Sequence, residues 1–128
     1  MKKLVLIALL TFTTAAVADS CSYYFNKGVD LYQAAAGLDE KTSKLTFELA
    51  EADDIASGCK MIVDIKANIQ EVKRQLGKTQ EMFQVAISEC GAEDSRQAMN
   101  YRSLSKQKSG SLEEHYSKVF ELDQQLCR

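Results

Sequence analysis

Four cysteines at nearly regular intervals constrain the fold of this chain more than any other feature of it. They stand at Cys21, Cys59, Cys90 and Cys127, which are 38, 31 and 37 positions apart. Zinc sites use close pairs such as Cys-x-x-Cys, so this spacing favours disulfides over a metal site. The stretches 21–59 and 90–127 are nearly equal in length and each begins and ends in a cysteine, which is typical of two similar units that are each closed by a disulfide.

The first eighteen residues have the pattern of a secretory signal peptide. Lys2 and Lys3 are charged, residues 4–12 form an apolar run, and Ala16-Val17-Ala18 supplies small residues for cleavage. We predict cleavage after Ala18 and a periplasmic or secreted protein, in a compartment where cysteines pair. The apolar run is shorter than the about 20 residues of a spanning helix, so we expect no membrane span.

A lipid anchor on Cys21 is the alternative to a fully released chain. The residues before it, Ala18-Asp19-Ser20, lack the small or aliphatic pattern that lipoprotein processing requires, so we expect release.

Without Lys2 and Lys3 the chain has 14 basic and 18 acidic residues, a net charge of about −4. Nucleic-acid binding requires clustered Lys and Arg, so this acidic chain is not expected to bind nucleic acid. Residues 19–128 have the length of one domain.

Hydrophobic periodicity predicts an all-α fold. The chain has no proline, and its apolar residues recur at steps of three and four. The strongest pattern covers 59–90 and predicts a long amphipathic helix with a heptad stripe. The stripe consists of Ile62, Ile65, Ile69, Val72, Leu76, Thr79, Phe83, Ala86 and Cys90.

Weaker patterns predict four shorter helices, which makes five in all. Their predicted ranges are 21–36, 39–57, 93–108 and 112–127. Gly37 is expected to end the first of them, and the sequence around Gly110 is expected to separate the last two. The residues from Ser111 to Glu114 have the form of a capping box, which is typical of a helix start.

The predicted helices favour one disulfide pairing. Cys59 and Cys90 lie at opposite ends of one helix, so they cannot reach the about 6 Å Cα separation of a disulfide. A hairpin on each side brings Cys21 to Cys59 and Cys90 to Cys127, which is the pairing we predict. Pairing Cys21 with Cys90 and Cys59 with Cys127 stays open as the alternative, and it requires 93–127 to form one uninterrupted helix. The predicted fold is thus two disulfide-closed αα-hairpins joined by a long amphipathic helix.

The sequence offers little catalytic chemistry. His115 is the only histidine, and its neighbours Glu113, Glu114 and Tyr116 are typical of a solvated first helical turn. Nucleophile elbows, glycine-rich phosphate loops and close cysteine pairs are missing from the sequence. The densest acidic cluster is Glu48, Glu51, Asp53 and Asp54, and it lies on a predicted helix instead of a glycine-centred calcium loop. We therefore expect no enzyme activity, no cofactor and no metal.

Three consecutive aromatic residues suggest a site for a protein partner. Tyr23, Tyr24 and Phe25 cannot all face one side of a helix, because neighbours are about 100° apart. At least one should be exposed beside Cys21, where it would serve as a binding anchor. In the alternative interpretation Tyr24 and Phe25 pack in the core.

The sequence predicts a non-enzymatic exported protein that acts as a protein-binding or adaptor module for an unidentified partner. A self-associating structural module built on the heptad helix is the alternative, and an inhibitor or enzyme of the cell envelope is a further one. Tyr24, Gly28 and Leu31 resemble the first helix of a tetratricopeptide repeat. The alanine, phenylalanine and proline positions that follow in that repeat are not found, so no family is assigned.

Overall fold

Three long α-helices make up the fold. The computed structural model describes the backbone of residues 2–128 and the side chains of residues 20–128. The helices are α1 (Lys2–Ala50), α2 (Ile55–Glu89) and α3 (Ala92–Leu126). Residues 51–54 connect α1 to α2, and Cys90-Gly91 connects α2 to α3. The predicted signal peptide, residues 1–18, lies outside the described side chains.

The middle helix, α2, packs against both α1 and α3. Short connections make sequential helices antiparallel, so α1 and α3 run in the same direction on either side of it. The heptad stripe predicted for this helix is buried at Ile62, Ile65, Ile69, Val72, Leu76, Thr79, Phe83 and Ala86. The prediction of an all-α fold is therefore confirmed, and so is its long amphipathic helix.

Seven-residue repeats also run along the outer helices, where small residues occupy many of the buried positions. In α1 the buried repeat consists of Gly28, Ala35 and Thr42. In α3 it consists of Ala98, Ser105, Leu112 and Val119. The Thr42 hydroxyl donates to the Leu38 carbonyl at 2.7 Å, and the Ser105 hydroxyl donates to the Tyr101 carbonyl at 2.8 Å. These polar side chains are thus buried with their hydrogen bonds made, in a repeat typical of coiled-coil packing.

The prediction of five helices is wrong, because both outer helices continue through the expected breaks. Gly37 lies inside α1 and Gly110 lies inside α3. The Ser111 hydroxyl donates to the Gln107 carbonyl at 3.2 Å, as in a helix interior, so it does not cap a new helix. A glycine costs a helix only about 1 kcal/mol, and packing along the whole length of α2 outweighs that loss.

The predicted disulfide pairing is also wrong. Cys21 is bonded to Cys90 with their Cα atoms 4.8 Å apart, and Cys59 is bonded to Cys127 with their Cα atoms 5.7 Å apart. The physical reason is the continuity of α3, which is about 50 Å long and carries Cys127 back to the start of α2. An uninterrupted α1 likewise places Cys21 beside the end of α2.

The two disulfides lie at opposite ends of the bundle. We call the end with residues 51–54 and the Cys59–Cys127 disulfide the cleft end, and the end with the Cys21–Cys90 disulfide the aromatic end. At the cleft end a turn joins α1 to α2, and a disulfide joins α2 to α3. At the aromatic end these roles are exchanged. Each end of α2 is therefore joined covalently to both neighbouring helices.

Candidate functional site

An apolar cleft of about 560 Å³ opens at the cleft end of the bundle. It lies where α1 ends, α2 begins and α3 ends. Its lining consists of Thr46, Leu49, Ala50, Ala52, Asp53, Asp54, Ile55, Gly58, Cys59, Ile62, Leu122 and Leu126. The volume falls within the range of about 300–1,000 Å³ that is usual for ligand sites. All three helices and the first turn thus contribute to one concave surface.

Asp54 fixes the first turn of α2 at the edge of this cleft. Its Oδ1 accepts a hydrogen bond from the Ser57 backbone N–H at 2.7 Å, and its Oδ2 accepts one from the Ser57 hydroxyl at 3.2 Å. These two hydrogen bonds lower the pKa of Asp54 below its ordinary value of 3.8, and the bond from the backbone N–H has the larger effect. An aspartate is a preferred N-cap because it satisfies a free donor of the first helical turn. This cap sets the position at which α2 starts.

Two large apolar side chains stand open to solvent at the mouth of the cleft. Ile55 is 65 % exposed and Leu126 is 50 % exposed, and both line it. The predicted helix 39–57 ran through Ile55, which instead begins α2. Exposed apolar side chains beside a concave apolar surface are typical of interaction sites.

The wall formed by α2 and α3 is held in place by covalent and ionic links. Cys59 lines the cleft and is bonded to Cys127, the residue that follows α3. Close by along α3, the buried Asp123 carboxylate lies 3.2 Å from Lys66 Nζ on α2 and 3.3 Å from Arg128 Nε. The cleft wall therefore rests on a cross-linked part of the bundle.

The electrostatics of the cleft are one-sided. Among the described side chains that line it, Asp53 and Asp54 are the titratable ones, because Cys59 is held in a disulfide. The carbonyl ends of α1 and α3 and the amide end of α2 meet here, and each helix end carries about half an elementary charge. No basic residue occupies the last turn of α1 or of α3. Two negative helix ends against one positive end, together with the two carboxylates, make the charge of the groups that line the cleft negative.

The predicted partner-binding aromatics lie at the other end of the bundle. Tyr24 and Phe25 pack against the buried cluster that contains Phe83. Tyr23 is 63 % exposed, and its ring meets that of Tyr24 edge-on with centroids 5.1 Å apart. Of the three, only Tyr23 offers an open surface, and it does not line the cleft.

His115 has no part in the cleft. It lies half-buried in the middle of α3. The carboxylate of Glu113 pairs with Lys73, and Glu114 pairs with Lys118 at 3.4 Å. The acidic neighbours of His115 therefore take part in ion pairs with lysines.

The acidic cluster divides between the end of α1 and the turn. Glu48 is on α1, Glu51 and Asp53 are in the turn, and Asp54 caps α2. All four are exposed. Among the side chains of residues 20–128, no grouping of His, Cys, Asp and Glu is arranged to hold a metal ion.

Sequence reasoning missed the cleft because it carried a helix across residues 51–54. The overlooked signal is Asp54 itself, an N-cap residue directly before the apolar periodicity of α2. A helix start at that point implies a turn, and the turn brings Leu49 and Ile62 to the same surface.

Comparisons with protein-family models, with curated proteins and with solved structures found no match. Within the described residues, none of the helices combines the length and the apolar character needed to cross a membrane.

Proposed function

We propose that this chain is a non-enzymatic exported binding protein that acts as an adaptor by holding an apolar segment of another protein in the cleft. The observation that carries the proposal is the cleft of about 560 Å³ with Ile55 and Leu126 exposed at its mouth. Burying such side chains against a partner yields about 25 cal/mol per Å² of apolar surface, less the cost of association.

The compartment of the protein supports this role. Both disulfides join residues far apart in the sequence, which indicates folding in an oxidising environment. A signal peptide before Asp19, which the sequence predicts, supports a periplasmic or extracellular environment. An exported adaptor in such a compartment benefits from a rigid frame, because a preformed site loses less conformational entropy on binding.

The proposal is tested by removing the apolar mouth of the cleft without disturbing the bundle. The oxidised protein, purified after export, is immobilised and exposed to an extract of the cell envelope. Ile55→Ser is expected to weaken capture of the specific partner about ten-fold, through loss of an apolar contact. Ile55 is already exposed, so the substitution leaves the core intact.

Val63→Ser is the matched control. Val63 is also β-branched, lies on the same helix and is 62 % exposed, but it does not line the cleft. Capture that survives Val63→Ser and fails with Ile55→Ser supports the proposal. Equal capture by both variants contradicts it. Loss of capture with Tyr23→Ala alone would place the partner at the aromatic end instead.

Self-association through the heptad stripe of α2 is the less favoured function. That stripe is covered by α1 and α3 within one chain, so a second copy would have to use another surface. Sedimentation at several protein concentrations measures this directly, and a mass that stays that of one chain would exclude it.

A further inference from the structure

We infer that the segment held in the cleft is cationic, with a lysine or arginine placed beside apolar side chains. The inference rests on the proposed function, because it names the chemistry of the partner at the same site. It is derived from two features of the cleft: its carboxylates, and the helix ends that meet there without a basic residue in their last turns.

The carboxylates supply the first argument. Asp54 is occupied by its bonds to Ser57, whereas Asp53 is exposed in the turn and lines the cleft. Glu48 and Glu51 lie nearby in sequence. Residues 45–59 contain no lysine or arginine, and the flanking Lys44 and Lys60 do not line the cleft. A cation in the cleft would therefore meet carboxylates without competition from lysine or arginine in this segment.

The helix ends supply the second argument. Carbonyl groups of the last turns of α1 and α3 face this end of the bundle, and lysine or arginine in a last turn usually offsets their charge. Neither helix has a basic residue there. Arg128, just beyond α3, lies 3.3 Å from the Asp123 carboxylate. The negative charge of the cleft is thus left for a partner to complement.

The same charges disfavour other occupants. A fatty-acid anion fits the apolar lining but meets Asp53 and two negative helix ends. A second copy that docked through its own cleft end would bring the same carboxylates. A basic and apolar peptide matches both the lining and the charge.

The inference is tested by selection from a display library of random short peptides against the exported, oxidised protein. Peptides that depend on the cleft are identified as those retained on Val63→Ser and lost on Ile55→Ser. We expect them to carry Lys or Arg next to aliphatic or aromatic residues. Their binding should weaken as salt rises, since exposed charges are screened.

A charge variant completes the test. Asp53→Asn is expected to weaken a selected basic peptide up to about five-fold, the effect of losing an exposed ion pair. Asp64→Asn is the control, because Asp64 is an exposed carboxylate on α2 that does not line the cleft. Cleft-dependent peptides that are neutral or acidic, or that ignore Asp53→Asn, would overturn the inference and leave the proposed function standing. Selection of no cleft-dependent peptide would overturn both. Binding of a fluorescent fatty acid to the same variants is measured alongside, and fatty-acid binding that is lost with Ile55→Ser would overturn the inference in favour of a lipid occupant.

Discussion

At the scale of single residues, Gly28 on α1 packs directly against the Phe83 ring on α2. A Cβ atom on Gly28 would lie 2.8 Å from Phe83 Cζ. The Phe83 ring is fully buried, stacks on Tyr101 with centroids 4.9 Å apart, and meets Phe25 edge-on at 5.7 Å. The ring is enclosed on several sides, so it cannot move away cheaply.

Gly28→Ala should therefore destabilise the protein, although alanine favours helices. Overpacking costs about 1–3 kcal/mol, which exceeds the about 0.5–1 kcal/mol that alanine adds to a helix interior. Gly37→Ala on the same helix meets nothing within 4 Å and should stabilise. Urea unfolding of the oxidised variants measures both free energies. Equal stability of the two variants would mean that the Phe83 ring does not press on the α1 backbone.

The hydrogen bonds that the Asp54 carboxylate accepts should make the stability of the protein depend on pH. Its pKa is lowered in the folded state by the Ser57 backbone N–H and hydroxyl, so folding favours the charged carboxylate. This contribution is fully present above the unfolded value near 3.8 and is lost as the pH falls through the lower folded pKa. Asp54→Asn keeps a capping side chain that does not titrate.

We expect the difference in melting temperature between wild type and Asp54→Asn to be constant above about pH 5. Below pH 3.8 the wild type should lose its relative stability. Melting followed by circular dichroism across this range checks it. The other carboxylates are common to both proteins, so a difference that does not change with pH would mean that Asp54 does not cap α2 as a carboxylate.

At the scale of helices, the sequence predicted α2 and misjudged its neighbours for a physical reason. The stripe of α2 consists largely of isoleucine, leucine, valine and phenylalanine, which make the period visible. The same period in α1 and α3 falls on small residues such as Gly28, Ala35 and Ser105, which carry almost no hydrophobic signal. The glycines Gly37 and Gly110 therefore led to predicted helix ends, although packing against α2 keeps both helices continuous at these positions.

The continuity of α3 is tested at Gly110. Its site is open, with nothing within 4 Å of an added Cβ atom. In one continuous helix, Gly110→Ala should add about 0.5–1 kcal/mol to the free energy of unfolding, and Gly110→Pro should remove about 3 kcal/mol or more. If a turn ended one helix here and Ser111 began another, proline would be tolerated and alanine would gain nothing. Chemical denaturation of both variants separates these outcomes.

At the scale of the whole molecule, the two disulfides act as matched clamps on opposite ends. Their sequence separations are 69 for Cys21–Cys90 and 68 for Cys59–Cys127. In the chain-entropy account the stabilisation depends on this separation, so each contributes nearly the same, about 4 kcal/mol. They differ in what lies beside them, because only Cys59–Cys127 borders the cleft. Removing either disulfide should therefore lower overall stability by a similar amount, but only the loss of Cys59–Cys127 should directly affect the cleft.

Replacing either pair by serine should cost about 2–5 kcal/mol, with similar losses for the two double variants. Cys59→Ser with Cys127→Ser should also speed hydrogen exchange at the end of α3 and weaken cleft-dependent peptides. Cys21→Ser with Cys90→Ser should speed exchange near residue 21 and leave the peptides bound, because its site lies at the aromatic end. Peptide mapping of unreduced wild type must first show fragments joining Cys21 to Cys90. Equal loss of peptide binding in both variants would mean that the cleft depends on the stability of the entire bundle, and not on the clamp beside it.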